Sequence, residues 1–180
     1  MVAAEAVSGA NGFVQNAWII VLLPFVSAAL TLFVGKRTPG RGSVYGILAV
    51  GAGLVMSLGV LWQFVSHGGS AFEGSILWFQ VGELRVEAGQ LVDGLTAVML
   101  VVVTSISLAV HVYSVGYMHG DQRYTWFYVV LSLFTGAMLN VVIANNLIQL
   151  LVGWEVMGVC SYLLIGHWWE EKENSNAAIK

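Results

Sequence analysis

Five long apolar runs, separated by short polar segments, dominate the hydrophobic pattern of the chain. The runs are Ala17–Gly35, Val44–Ser66, Leu95–Tyr117, Thr125–Ala144 and Leu147–Trp169. Crossing a hydrocarbon core about 30 Å thick takes about 20 helical residues, whereas membrane β-strands alternate apolar and polar residues over about ten positions. Because these runs are continuous, they predict an all-α, polytopic membrane protein with five transmembrane helices.

The segment between the second and third runs has a different pattern. In "LWFQVGELRVE", residues 77–87, apolar and charged residues alternate after Gly82, which predicts a short β-hairpin outside the membrane. An isolated hairpin is marginally stable, so we expect it to rest on helix ends or on a neighbouring subunit. Asp93 is the predicted N-cap of the third helix. Asn145 and Asn146 form the whole turn between the fourth and fifth runs, which predicts antiparallel neighbouring helices.

Composition supports the membrane interpretation, since 58% of the residues are hydrophobic and 9% are charged, against about 25% charged in soluble domains. Basic residues orient the helices. Six lie in the first loop, the third loop and the C-terminal segment, and Arg85 is the only one in the second loop. The positive-inside tendency therefore predicts that the N-terminus lies outside and that the segment after the fifth helix is cytoplasmic.

These patterns divide the chain into four predicted regions. They are an exposed tail over 1–16, the first two transmembrane helices over 17–66, an extracytoplasmic hairpin loop over 67–92, and a third to fifth helix region over 93–180. The tail has no Lys or Arg, so it resembles neither a secretory signal nor an Arg-rich transit peptide. We therefore expect a bacterial inner membrane location.

Glu155 is the most informative polar residue inside the apolar runs. It is the ninth residue of the fifth run, about 12 Å below the predicted outer end at about 1.5 Å per residue. Ionisable groups at that depth are costly and commonly mark ion pathways or proton relays, and apolar surroundings favour the neutral acid. We predict that Glu155 loads and releases a proton. The alternative is a structural hydrogen bond to a neighbouring helix with no change in protonation.

Two further residues are candidate relay partners. Tyr162 shares a helix face with Glu155 at about 100° per residue, and the glycines on that face permit another helix to approach closely. His111 lies about two turns from the cytoplasmic end of the third helix, and histidine exchanges protons near neutral pH. A hydrated interfacial histidine is the alternative there. His167, beside two tryptophans, is interpreted as an interfacial side chain.

Several site types are missing from the sequence. It has no Gly-rich phosphate loop, no Cys or His cluster suited to iron–sulfur or haem ligation, and no basic face for nucleic acid. Cys160 is the single cysteine, which excludes an intrachain disulfide. We therefore expect no nucleotide, metal, cofactor or nucleic acid to bind this chain.

At the C-terminal half the sequence resembles a known family. The block "ANNLIQLLVGWEVMGVCSYLLIGHWW", followed by "NSNAAIK", resembles the N-terminal part of the L subunit of proton-pumping NADH:quinone oxidoreductase, respiratory complex I, called subunit five in mitochondria. The stretch "VDGLTAVMLVVVTSISLAVHVYSVGYMHGD" is similar to that family's third helix and the loop after it. The likeness runs from about Leu91 to Lys180, whereas the first two helices and the hairpin agree in layout only.

The resemblance implies an antiporter-like subunit of the membrane arm, through which protons cross while quinone reduction elsewhere drives the complex. FMN, iron–sulfur clusters and quinone would belong to other subunits, and a neighbouring antiporter-like subunit and lipid would surround this chain. By position, Glu155 is the essential protonatable glutamate of the family's fifth helix. The family pairs it with a lysine on a seventh helix, so residues 93–180 are expected to be the start of the translocation domain, cut off before the sixth helix.

Two other functions remain open at the level of sequence. The large subunit of multisubunit sodium/proton antiporters, or its equivalent in membrane-bound hydrogenases, shares the same block. A structural membrane element that does not transport ions would keep the block for packing alone.

Overall fold

Five of the helices in the described part of the chain have the length and apolar composition of membrane spans. The computed structural model describes residues 12–38, 40–66, 68 and 70–180, except for the side chain of Leu84. The helices are α1 (Trp18–Val34), α2 (Ser43–Ser66), α3 (Gly94–Tyr117), α4 (Tyr124–Ile143), α5 (Leu147–Ile165) and α6 (Lys172–Ile179), and a 3₁₀ turn spans Gly35–Arg37. The all-α polytopic fold is confirmed, while residues 1–11 of the predicted tail lie outside the described residues.

The hairpin between α2 and α3 is also confirmed, and it is longer than the stretch that predicted it. Strands β1 (Phe72–Val81) and β2 (Leu84–Val92) pair antiparallel, with an irregular register between Leu77 and Phe79. Gly82 opens the two-residue turn with φ +61°, a conformation that favours glycine at the first central position of hairpin turns.

The helices α1 to α4 form the body, and α4 lies at its centre. α4 packs against α1, α3 and α5, while α2 packs against α1 and α3. Ile20 of α1, Val60 of α2, Leu100 of α3 and Leu139 of α4 are fully buried in one apolar cluster. In the most apolar 18-residue stretch of each helix, 56% of the residues are buried in α4 but only 11% in α5. α5 therefore lies at the edge of the molecule, with one side uncovered.

Side-chain amides attach the hairpin to the ends of the helices. Gln149 of α5 accepts a hydrogen bond from the Gly89 N–H at 2.8 Å and donates one to the Gly89 carbonyl at 2.9 Å. Gln90 accepts from the Trp18 N–H at 2.9 Å, and Asn146 donates to the Glu87 carbonyl at 2.8 Å. These bonds hold β2 against α1 and the α4–α5 turn, as the marginal stability of a lone hairpin requires.

The N-cap predicted for the third helix agrees with the structure, which also shows a cap at the start of α5. The Asp93 carboxylate accepts from the Thr96 N–H at 2.8 Å, and that backbone hydrogen bond lowers the pKa of Asp93 against the opposing effect of burial. Asn146 caps α5 by accepting from the Gln149 N–H at 2.9 Å. α4 and α5 pack against each other across the short turn.

The end of the fifth helix was predicted wrongly. Its apolar run continues to Trp169, but α5 ends at Ile165 with Gly166 as its C-cap. Residues 166–171 turn, and α6 begins at Lys172. Hydrophobicity alone missed this end because the aromatic residues after Gly166 are as apolar as the helix itself, although glycine is a common helix terminator.

Candidate functional site

Glu155 lies close to the middle of α5, as the ninth of its 19 residues. Its side chain is exposed on the surface of the chain, as are those of its neighbours Trp154 and Val159. No described residue of this chain donates a hydrogen bond or forms an ion pair with the Glu155 carboxylate. The carboxyl group thus sits at mid-span on a face of α5 that the other described helices leave open.

A run of exposed residues defines this open face of α5. Its members are Leu147, Leu151, Glu155, Gly158 and Tyr162, which recur at three- or four-residue spacing. A Cβ built on Gly158 would meet nothing within 4 Å, whereas one on Gly153, on the opposite face, would lie 2.7 Å from the Asn140 Nδ2. α5 therefore uses Gly153 to approach α4 and presents Gly158, between Glu155 and Tyr162, to the outside.

Tyr162 lies seven residues after Glu155, about 10 Å further along the helix axis at about 1.5 Å per residue. That separation is too long for a direct hydrogen bond, so any proton passage between them needs intervening water or another side chain. Tyr162 also lines a cleft of about 230 Å³ with Trp126, His167 and Ser175, between α4, α5 and α6. The cleft places the phenol at the boundary between the membrane span and the loops.

His111, on α3, is fully buried and lies apart from Glu155 and Tyr162. Its Nδ1 is 2.8 Å from the Ser107 carbonyl and its Nε2 is 3.3 Å from the Ser132 hydroxyl of α4. Because a carbonyl only accepts, Nδ1 must carry a proton, and Nε2 is the atom that can gain or lose another. α4 stands between α3 and α5, so the structure does not bring His111 together with Glu155 and Tyr162.

The α3–α4 loop and the segment after α5 contain a polar cluster that sequence reasoning missed. Both carboxylate oxygens of Asp121 have partners. Oδ1 accepts a hydrogen bond from the Arg123 N–H at 2.6 Å and lies 3.4 Å from the His167 Nε2. Oδ2 accepts a hydrogen bond from the Trp168 indole N–H at 2.9 Å. His167 is 4% exposed, so its interpretation as an interfacial side chain was incomplete. The pairing joins residues 46 positions apart, a contact that the local sequence pattern does not encode.

Electrostatics stabilise this cluster. Burial alone would raise the pKa of Asp121, but hydrogen bonds from Trp168, the Arg123 N–H and His167 outweigh it and lower that pKa. Arg123 pairs with Glu170 at 2.9 Å, and its hydrogen bond lowers the pKa of the exposed Glu170 carboxyl. The Arg123 guanidinium also lies 3.9 Å from the centre of the Trp169 ring. Together these contacts fasten the α3–α4 loop to the end of α5.

No group of three or more His, Cys, Asp or Glu side chains in the described part of the chain is arranged to hold a metal ion. Cys160 is a free, buried thiol. The polar chemistry inside the spans of the described part therefore rests on Glu155, His111 and hydroxyl and amide groups.

Comparison with known proteins identifies relatives over most of the chain. Residues 78–128 match the model of "NADH-Ubiquinone oxidoreductase (complex I), chain 5 N-terminus", and residues 144–180 match that of "NADH:quinone oxidoreductase/Mrp antiporter, TM". NAD(P)H-quinone oxidoreductase chain 5 of Synechocystis is 39% identical over 92% of this chain and 25% of its own length. F(420)H(2) dehydrogenase subunit L of Methanosarcina mazei is 39% identical over 92% of this chain and 24% of its own length.

A solved structure shares the fold. The archaeal membrane-bound sulfane sulfur reductase matches with a TM-score of 0.76 and 13% sequence identity, over 92% of this chain and 33% of that chain. The fold is thus that of a multi-pass helical membrane protein. The chain is homologous to the subunit 5 and subunit L chains of the NADH:quinone oxidoreductases. It spans about a quarter of the length of the curated relatives it matches.

Proposed function

We propose that this chain belongs to a proton-translocating, antiporter-like membrane-arm subunit of a bacterial NADH:quinone oxidoreductase. In that role it couples electron transfer from NADH to quinone with proton pumping, while FMN, iron–sulfur clusters and quinone bind to other subunits. The observation that carries the proposal is the Glu155 carboxyl group, exposed at mid-span on the open face of α5. The homologous relatives named as quinone oxidoreductase subunits support the assignment.

The cost of a charge in lipid indicates what covers this face. An ionised side chain at the centre of a membrane helix costs about 2.5–3.5 kcal/mol even on insertion scales, so such groups almost always face protein or a water-filled cavity. We therefore propose that other membrane-arm subunits, including a neighbouring antiporter-like subunit, surround the body. Protein, and not lipid, would then cover the Glu155 face. A lysine on a further helix, as the family resemblance implies, would approach Glu155 there and favour its charged form.

Tyr162 is proposed as the relay group between Glu155 and the loops. It shares the open face with Glu155 and also lines the cleft beside His167 and Ser175, so its hydroxyl can exchange hydrogen bonds with water entering from the loop side. Water must bridge the remaining distance to Glu155, because the two residues are two helical turns apart.

His111 is proposed as a separate proton-binding group of the α2–α3–α4 body. Only its Nε2 can exchange a proton, and the Ser132 hydroxyl is the neighbour through which it would pass. Replacing His111 with Gln keeps hydrogen-bonding capacity but removes titration. If the His111→Gln complex assembles normally but pumps fewer protons, the relay role of His111 is supported. If its pumping is unchanged, the imidazole serves only in packing.

The proposed function is tested by replacing Glu155 with Gln in the complete oxidoreductase reconstituted in vesicles. The change preserves side-chain shape but removes ionisation, so we expect a large loss of protons pumped per electron, while electron transfer from NADH to quinone in detergent continues. The matched control is Glu173→Gln, which removes an exposed carboxyl group from α6 outside the span. It is expected to leave pumping unchanged.

Two results would contradict the proposal. Normal pumping per electron in Glu155→Gln would support the structural alternative, in which the residue only packs. Equal losses in Glu155→Gln and Glu173→Gln would indicate a general effect of lost negative charge. Assembly of both variants, checked by native electrophoresis, separates these results from failure to fold.

The second candidate function is a multisubunit sodium/proton antiporter, since the family model matching residues 144–180 describes both assemblies. Isolation of the native complex through an affinity tag on this subunit distinguishes the two. Flavin and iron–sulfur absorbance in the purified complex supports the oxidoreductase. Their absence from a complex with sodium-dependent proton exchange supports the antiporter.

A further inference from the structure

A second cleft lies at the loop side of the body, away from Glu155. It has a volume of about 390 Å³ and is lined by residues of the α1–α2 loop and of the α3–α4 connection, including Arg41, His119 and Tyr124. Pockets of about 300–1,000 Å³ are usual for small ligands. α1 and α3 end beside it and α2 and α4 begin beside it, so the cleft lies where the membrane spans meet water.

The charge around this cleft favours an anion. Arg41 is in its wall, and Lys36 and Arg37 are exposed in the same loop. None of the described residues that line the cleft is acidic. The nearest acid in sequence, Asp121, has its carboxylate oxygens bound to Trp168 and the Arg123 N–H, with His167 within 3.4 Å.

The backbone at Arg41 points to a role for its side chain. Arg41 has φ +48°, between Gly40 at +79° and Gly42 at +95°. Glycine adopts such angles at no steric cost, whereas a residue with a Cβ pays about 1–2 kcal/mol. Strained positions of this kind cluster at binding sites, where the side chain is required. A third glycine would relax the loop, yet the chain has an arginine there.

The surroundings of the cleft fit a ligand with an apolar part. Val115, in the last turn of α3, lines the cleft and is exposed. Val44 and Leu48 lie one turn apart on α2 and face outward, 47% and 65% exposed. A Cβ built on Gly40, in the wall of the cleft, would lie 3.2 Å from the Val44 side chain, so the apolar part of a ligand bound at the cleft could lie against this face of α2.

We propose that this cleft binds the phosphate headgroup of an anionic phospholipid, with Arg41 as its main cationic contact and its acyl chains along α2 and α3. Guanidinium groups bind phosphate oxygens with paired, charge-assisted hydrogen bonds, and basic pockets between membrane helices bind lipid headgroups of this kind. The proposal needs only the membrane location of the chain and is independent of proton transport.

The test uses the complete complex in phosphatidylcholine vesicles that contain a trace of photoreactive phosphatidylglycerol, with a diazirine at the glycerol end of one acyl chain. After irradiation, labelled peptides covering residues 40–48 and 112–124 are quantified by mass spectrometry. We expect several-fold more labelling than with the same probe on phosphatidylcholine. Unlabelled phosphatidylglycerol should compete, whereas inorganic phosphate in large excess should not.

Variants at the cleft make the test specific. Arg41→Gly should reduce labelling several-fold without lowering thermal stability, because glycine relieves the strained φ. Arg41→Lys keeps the charge and should retain most of the labelling. Arg37→Gln removes an equal charge from the same loop but does not line the cleft, so it should label nearly as the unaltered chain.

Four outcomes would overturn the proposal. Equal labelling by the two lipid probes would show that the headgroup is not recognised. Unchanged labelling in Arg41→Gly, or an equal loss in Arg37→Gln, would show that Arg41 does not form the site. Competition by inorganic phosphate but not by phosphatidylglycerol would assign the cleft to a free anion.

Discussion

At the scale of single residues, several buried hydroxyl groups in this body bond within their own helix. The Thr104 hydroxyl donates to the Leu100 carbonyl at 2.7 Å, and that of Ser57 to the Gly53 carbonyl at 2.8 Å. In the described part of the chain, no buried side-chain nitrogen or oxygen lacks a hydrogen-bond partner. Because such groups are costly when unpaired in a membrane, the open carboxyl group of Glu155 stands apart from all of them and points to contacts outside this body.

The Asp121 cluster makes a prediction about stability and pH. Asp121→Asn keeps the shape but loses charge-assisted hydrogen bonds, each worth about 1.5–3 kcal/mol. We expect lower thermal stability at neutral pH. Because the folded-state pKa of Asp121 is lowered, its stabilising contribution is present above the unfolded carboxyl value of about 3.9 and is lost as pH falls through the lower folded value. The difference in thermal stability between the unaltered protein and the variant should therefore disappear at acidic pH.

The measurement is the unfolding midpoint of the purified complex, followed by intrinsic fluorescence from neutral to acidic pH. Glu170→Gln is the control, since it removes the carboxyl group of the exposed Arg123 ion pair, and exposed pairs contribute little. If the unfolding midpoint of Asp121→Asn stays below that of the unaltered protein by the same amount at acidic pH, the charge of Asp121 does not stabilise the fold.

At the scale of elements, sequence patterns predicted which helices form but not which faces they bury. The five spans, the hairpin and the cap at Asp93 were predicted from local sequence, because hydrophobic length, alternation and capping chemistry are local properties. The burial of His167 against Asp121 follows from tertiary packing. Sequence spacing placed Tyr162 on the Glu155 face, yet only the structure shows that this face is open and that His111 belongs to another part of the body.

The two glycines of α5 predict how its faces differ. A Cβ on Gly153 would lie 2.9 Å from the Val141 side chain and 3.2 Å from the Ala137 carbonyl, in addition to the close approach to Asn140. Overpacking of this kind costs about 1–3 kcal/mol. Gly153→Ala should therefore separate α5 from α4 and lower the unfolding midpoint of the chain.

Gly158→Ala is the matched control, because nothing of the described chain lies within 4 Å of its Cβ position. Alanine favours helix by up to about 1 kcal/mol over glycine, so this chain alone should be as stable or slightly more stable. A loss of stability that appears only in the assembled complex would locate covering protein against the Glu155 face. Equal losses for both variants in the isolated chain would contradict the assignment of the faces.

At the scale of the whole molecule, the distribution of charge and the helix directions predict one orientation. The ends of α1, α3 and α5 and the starts of α2 and α4 lie at one side of the body, whereas the hairpin and the α4–α5 turn lie at the other. Six of the seven Lys and Arg residues belong to segments of the first side. That excess predicts that the Asp121 cluster and the Arg41 cleft lie on the cytoplasmic side and that the hairpin lies outside.

Cysteine labelling of this chain tests the orientation, with Cys160→Ala as the background since that thiol is buried. In spheroplasts, a membrane-impermeant maleimide should add its mass to Glu83→Cys in the hairpin turn but reach Glu173→Cys in α6 only after detergent opens the membrane. Both positions are exposed. A cysteine that is labelled only after detergent is added therefore lies on the inner side of the membrane. The reverse pattern would invert the molecule, and the Tyr162 cleft would then face outward. If Tyr162 is the relay that we propose, proton uptake from the cytoplasm requires its cleft to lie on the side where Lys and Arg are concentrated, so the labelling result also tests the transport proposal.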